Sequence, residues 1–96
     1  MARTKMLMVF VYDVSSAKRR RKVAGILEKH ATRVQYSVFE ARLSQRKADT
    51  IAERAATHLD AGDSLRMYAV GADGFQRSRV FGSSIPMQTA EGFWLI

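Results

Sequence analysis

The chain has no cysteine, a single proline and only two histidines, His30 and His58. Without cysteine there is no disulfide framework, no thiolate metal site and no cysteine nucleophile. Two isolated histidines leave little material for a zinc centre or a histidine-based triad. His30 falls near the end of a helical stretch, where the helix dipole favours it, and His58 reads as a surface residue. Long hydrophobic runs are missing too: the apolar stretch 6–12 is far short of the roughly 20 residues that cross a bilayer. It follows Arg3 and Lys5, as a signal peptide would. Asp13 and a block of bases nevertheless stand where a small-residue cleavage site belongs, so we expect no signal peptide and a cytoplasmic protein. There is no P-loop, no GxGxxG or GxSxG motif, no internal repeat and no low-complexity segment. Acids are scarce where bases are dense. Residues 1–47 hold 12 Lys/Arg against Asp13, Glu28 and Glu40, a net of +9, whereas residues 48–96 hold 4 against 6, a net of −2, which together give the chain's +7.

What is present fits one domain: 96 residues at 47% hydrophobic content support a modest core. Domains of this size often complete that core by dimerising. The run Met6-Leu7-Met8-Val9-Phe10-Val11-Tyr12 does not alternate, which predicts a strand covered on both faces. It stops at Asp13. After Val14-Ser15-Ser16-Ala17 comes Lys18-Arg19-Arg20-Arg21-Lys22, a positive block that nothing in the local sequence neutralises. An acid for a metal and several bases for phosphate is the chemistry of a nucleic-acid site, and polyanion binding is the economical reading of the charge asymmetry. An anionic membrane surface is the rival, but the basic helix lacks the Trp or Phe that interfacial helices place on their apolar side, so no membrane partner is expected.

Periodicity then orders the elements. A strand at about 6–13 is followed by a helix at about 16–31, capped by Ser15 or Ser16, with Val23, Ile26, Leu27 and Ala31 on one face. Residues 32–43 are dense in β-formers and predict either one long bent strand or two short ones reversing near Gln35–Ser37. Ser44 caps a second helix in which Ala48, Ile51, Ala52, Ala55, Ala56 and Leu59 make an unbroken apolar stripe. Gly62 marks a turn, Ser64–Val70 a further strand, and Gly71-Ala72-Asp73-Gly74 a turn or flexible loop. The order is β-α-β-β-α-β, the α+β ferredoxin-like arrangement, with both helices on one face and the first and third strands central. Residues 1–78 form that domain. Residues 79–96 add a tail containing Ser78-Arg79-Val80-Phe81 and a C-terminal strand, Gly92-Phe93-Trp94-Leu95-Ile96, whose apolar residues must pack on their own sheet or on a second copy.

Each candidate site residue has an ordinary reading beside the functional one. Asp13 at a strand end serves as readily for a turn or cap as for a metal, although the serines that follow are better caps. One Asp is too few for a hard divalent cation; two copies meeting across a dimer axis would suit it, because their repulsion favours a bridging ion. The basic block reads as a solvated helix face, yet it crowds the end of the helix where the dipole favours acids. Extending the apolar stripe backwards from Val23 reaches Arg20 and Arg19, which places at least one arginine beneath the sheet edge near Asp13. Phosphate would offset that crowding, and Arg33 and Gln35 add donors. Tyr12, Tyr36 and Phe39 are able to stack on bases, but core packing is favoured for Tyr36 and Phe39. The aromatic pattern of RNA-recognition folds is absent.

Three blocks, Val11-Tyr12-Asp13-Val14, Lys18-Arg19-Arg20-Arg21-Lys22-Val23 and Arg33-Val34-Gln35-Tyr36-Ser37-Val38-Phe39-Glu40, come in an order and spacing that resembles one family. It is the small CRISPR-associated protein of the spacer-acquisition module, a metal-dependent endonuclease family that partners the CRISPR integrase. The third block is the most diagnostic. The resemblance covers about residues 6–70, and the tail from Gly71 departs from shorter members. It implies a ferredoxin-like homodimer whose C-terminal strand pairs with the partner's sheet, and an Asp from each subunit converging on Mg2+. Asp13 matches that acid, as catalytic residue and metal ligand. Tyr12, Arg20, Lys22, Arg33, Gln35 and Phe39 match positions near it or on the nucleic-acid face; some relatives carry Arg at the position of Lys22.

Two functions follow. In the first the protein is an enzyme: Mg2+ held by two Asp13 residues assists phosphodiester hydrolysis in DNA and/or RNA, with arginines stabilising transition-state charge. In the second it is a non-catalytic scaffold of the integrase complex, whose Arg19, Arg20, Arg21 and Lys22 follow phosphates along a duplex without reading bases. The lack of an evident general base beyond Asp13 favours binding slightly.

Overall fold

The apolar run at the start of the chain becomes the interior of a sheet. In the computed structural model, which describes residues 4–82, 87–88 and 94–95, β1 (Lys5–Asp13) lies between β3 (Val38–Ser44) and β4 (Ser64–Val70), and β2 (Thr32–Gln35) flanks β3. Every pairing in the order β2-β3-β1-β4 is antiparallel. Successive side chains of a strand point to opposite faces. Met8, Phe10 and Tyr12 accordingly enter the main core with Phe39, Ala41 and Leu43, beneath Val23, Ala24 and Leu27 of α1 (Ala17–Glu28) and Ala48, Ile51 and Ala55 of α2 (Gln45–Ala56). Both helices therefore cover one face, as the βαββαβ order requires.

The other face corrects the expectation that β1 is covered on both sides. Leu7 is buried there, but Val9 and Val11 are only half-buried and Asp13 is exposed. Leu7 is covered by α3 (Ala72–Arg77), a short helix at residues expected to form a turn or flexible loop. Its reason is Phe75, which packs on Leu7 with Val9, Val70 and Val80 around it, while the Arg42 guanidinium lies 5.7 Å from the ring centroid. Asp73 in the first turn and Arg77 in the last suit the helix dipole, and the Ser78 hydroxyl donates to the Gly74 carbonyl at 2.7 Å.

Local chemistry sets the boundaries. Ser16 caps α1 by accepting from the Arg19 amide at 3.3 Å, and Ser44 caps α2 by accepting from the Lys47 amide at 3.2 Å. Helix α1 ends at Glu28 rather than near 31; Ala31 still packs against the core from the following turn. The 32–43 segment is two strands reversing at Tyr36–Ser37. Two-residue hairpin loops usually need positive φ, hence Gly or Asn, yet no non-glycine residue among those described has one. The ladder instead shifts register between Arg33 and Gln35, and such a bulge supplies extra twist without a glycine. Gly62, at φ 87°, turns the chain into β4.

Beyond α3, Val80 joins the Leu7–Phe75 cluster and Phe81 is exposed with Arg79 over its ring. In the tail, β5 (Met87–Gln88) pairs antiparallel with β6 (Trp94–Leu95) in a separate two-stranded sheet. Of the expected terminal strand, Gly92, Phe93 and Ile96 lie outside the described residues.

Candidate nucleic-acid and metal site

Asp13 ends β1 opposite Ser64 of β4, exposed, on the sheet face that α1 and α2 leave open. The residues after it are braced from two directions. Arg20 donates from one guanidinium nitrogen to the carbonyls of Val14 (2.9 Å) and Ser15 (3.0 Å). The Asp63 carboxylate accepts from the Ser15 amide at 3.3 Å. The acid thus stands at the end of a strand whose exit loop has little freedom.

Asp63 carries no sequence signal as a site residue, yet it holds part of the basic block. Its side chain is 1% exposed and accepts from Arg19 Nε at 2.7 Å, from a second Arg19 nitrogen at 3.2 Å and from the Asp60 amide at 2.9 Å; Asp60 itself lies 3.8 Å from Arg19. The Arg19 hydrogen bond, followed by that of the Asp60 amide, pulls the Asp63 carboxyl down to about 2. The same Arg19 hydrogen bond raises the guanidinium in turn. The first turn of α1 contains no acid; the turn before β4 brings acids to it from 44 positions away. The charge that local sequence leaves unneutralised is therefore partly neutralised in space. Arg19 and Arg20 are engaged within the fold, whereas Lys18, Arg21 and Lys22 are exposed.

The other candidates gather at the neighbouring corner. Phe39 is fully buried and Tyr12 nearly so, their rings stacked at 6.3 Å between centroids. The Arg33 guanidinium lies 5.0 Å from the Phe39 ring centroid and donates to the Tyr36 carbonyl at 2.6 Å. The Tyr12 hydroxyl donates to that same carbonyl at 3.3 Å. Burial pushes the Tyr12 phenol above its ordinary value; Arg33 and Arg20 act against that, and Tyr36 and Glu28 with it. Gln35 is exposed. Core packing holds for Phe39 but not for Tyr36, which is 71% exposed. The bulge beside it is what re-aims the loop.

A metal ion finds too few ligands in one copy. Among the described residues no group of three or more His, Cys, Asp or Glu is arranged to hold one. The donor type at Asp13, an exposed carboxylate, suits a hard cation such as Mg2+.

The β-α-β-β-α-β order, with two helices over one face of an antiparallel sheet, defines a ferredoxin-like α+β domain. Comparison with known proteins narrows this. The family model described as CRISPR associated protein Cas2 matches residues 6–78. The CRISPR-associated endoribonuclease Cas2 3 of Chloroflexus aurantiacus is 37% identical over 79 residues, 81% of this chain and 85% of that protein. The crystal structure of Streptococcus pyogenes Cas2 superposes with a TM-score of 0.67 at 31% identity, covering 80% of this chain and 100% of the other. A chain of a partial Cas6-RT-Cas1–Cas2 complex gives a TM-score of 0.62 at 25% identity, covering 78% and 83%. The chain belongs to the CRISPR-associated Cas2 family. Among the described residues, no helix is long and apolar enough to cross a membrane.

Proposed function

We propose that the protein is a metal-dependent endonuclease of CRISPR spacer acquisition, acting as a homodimer that binds nucleic acid and the CRISPR integrase. The observation that carries this is the position of Asp13 on the open face of the sheet. Val9, Val11 and Val38 on that face are half-buried and Tyr68 is 49% exposed. A second copy seated there removes apolar surface from water. Around a twofold axis it also brings its own Asp13 toward the first, giving a second carboxylate beside it. Mg2+ held by the pair would polarise a phosphate oxygen and acidify a bound water. Arg20 and Asp63 hold the loop that aims the acid. Lys18, Arg21 and Lys22 face solvent, where phosphates of DNA or RNA are within reach, and Arg33 and Gln35 extend the donor surface. In the tail, 79–96, Val80 stays on its own subunit's Leu7–Phe75 cluster, and the β5–β6 pair would rest on the partner subunit. The complex that pairs Cas1 with Cas2 supports an integrase partner, and the relatives named as nucleases support the activity.

The test is cleavage of labelled RNA and DNA with Mg2+. Asp13→Asn is expected to reduce cutting by roughly a hundredfold or more, with duplex affinity and integrase assembly unchanged. Cutting that survives Asp13→Asn, or that survives chelation, refutes the metal site. The second reading, a non-catalytic scaffold, is favoured by the lack, among the described residues, of a ligand cluster. It predicts that Asp13→Asn leaves spacer integration intact.

A further inference from the structure

Tyr36 is held firmly without being buried. The residue is 71% exposed, the highest value among the three tyrosines. Its backbone is pinned at several points: the Tyr36 carbonyl accepts from Arg33 at 2.6 Å and from the Tyr12 hydroxyl at 3.3 Å, and the Ser37 carbonyl accepts from the Tyr12 amide at 3.1 Å. Arg33 is itself fixed over the ring of Phe39, which has no exposed surface. The β2–β3 loop is thereby tied to Tyr12, the residue before Asp13.

A lone exposed aromatic on a surface is ordinary. Two facts separate this one. Ordering a loop costs conformational entropy, and here the ordering leaves Tyr36 mostly exposed; rigidity with little burial is what a binding platform requires. Two exposed side chains with donor groups, Arg33 and Gln35, also stand on the same hairpin. An aromatic face among bases is how single strands are held, since every nucleobase has a π-face.

We infer that Tyr36 is the stacking platform for an unpaired nucleobase of a strand whose phosphates pass the Asp13 end of the sheet. The ligand class is a single-stranded or frayed stretch of RNA or DNA; in an intact duplex the bases are already stacked and unavailable. The assignment rests on the nucleic-acid reading above and adds to it a residue that selects for unpaired bases.

The experiment uses short single strands of DNA and of RNA, each carrying a fluorescent aminopurine, and a blunt duplex of the same sequence. Wild-type protein should quench the aminopurine in the single strands. Tyr36→Ala should abolish the quenching and weaken single-strand binding by roughly tenfold or more, with duplex affinity changed less than about twofold and the salt dependence unaltered. Tyr36→Phe, which keeps the ring, should restore both signals. Because the anchor is a backbone carbonyl, Tyr36→Ala should keep the wild-type melting midpoint. Equal losses on single strand and duplex, or no loss on either, overturn the inference. So does a loss confined to integrase assembly, which would make Tyr36 a protein-binding residue. Wild-type binding with an indifferent Tyr36→Ala removes this inference alone; failure of the wild type to bind any strand removes the nucleic-acid reading as well.

Discussion

Asp63 joins the two chain segments that flank the candidate acid: the turn before β4 and the loop after β1. Its carboxyl is lowered from 3.8 to about 2, chiefly by Arg19. A depressed acid stabilises the folded state fully above its ordinary value and loses that contribution as pH falls toward the folded value. Wild-type protein should therefore lose melting temperature as pH drops from 3.8 toward about 2 through this residue. Asp63→Asn should melt lower than wild type at neutral pH and show a flatter profile across that window; thermal melts over a pH series measure both. Glu40 has the opposite sign. On the open face between Val9 and Thr32, its carboxyl is raised by burial. The cost of ionising it is present above the folded value and disappears as pH falls through that value toward the ordinary one. Glu40→Gln should accordingly raise the neutral-pH melting point, and more so if a second copy covers that face.

At the scale of elements, α3 depends on one side chain. Phe75→Ala removes most of the cover from Leu7 and should cost about 3 kcal/mol in urea unfolding, at the low end for a buried Phe because the Leu7–Phe75 cluster is small and its other members are only half-buried. Helix α2 is sensitive in the other direction. Its Ala48 and Ala55 have no exposed surface, so Ala48→Leu has nowhere to go and should cost about 1–3 kcal/mol through overpacking. These elements also show what a sequence can reveal. Helix α2 is readable because its cap and its alanine stripe are both local signals, and β1 because its apolar run is unbroken up to Asp13. Helix α3 is not, since Gly71-Ala72-Asp73-Gly74 has the composition of a turn and its stabilisation comes from a strand far away in the chain. The Arg19–Asp63 clamp is hidden for the same reason. Tyr36 and Phe39 look alike as β-formers; a bulge, not composition, sends one into solvent and leaves the other in the core.

For the whole molecule, charge and association are the measurable quantities. Arg21, Lys18 and Lys22 are exposed while Arg19 is paired with Asp63, so the basic block should divide in a salt titration. Replacing the three exposed bases with Ala should flatten the slope of log affinity against log salt by roughly 0.9 for each phosphate that the variant no longer neutralises, whereas Arg19→Ala should lower stability and leave the slope nearly unchanged. The proposed association is tested at the open face. The half-buried Val9 is central there, between Glu40 and Tyr68 in the ladders. An isolated two-stranded hairpin is marginal in water, so the β5–β6 pair also needs a surface to rest on. Val9→Arg puts a charge into the proposed interface without touching the core beneath α1 and α2, at the border of the smaller Leu7–Phe75 cluster. It should give a folded monomer at micromolar concentration by light scattering and lose Mg2+-dependent cleavage, because each Asp13 then stands alone. Deleting residues 87–96 should weaken the dimer while leaving the four-stranded sheet folded. A wild-type monomer, or a Val9→Arg protein that stays dimeric and active, would show that the two Asp13 carboxylates do not meet across this face.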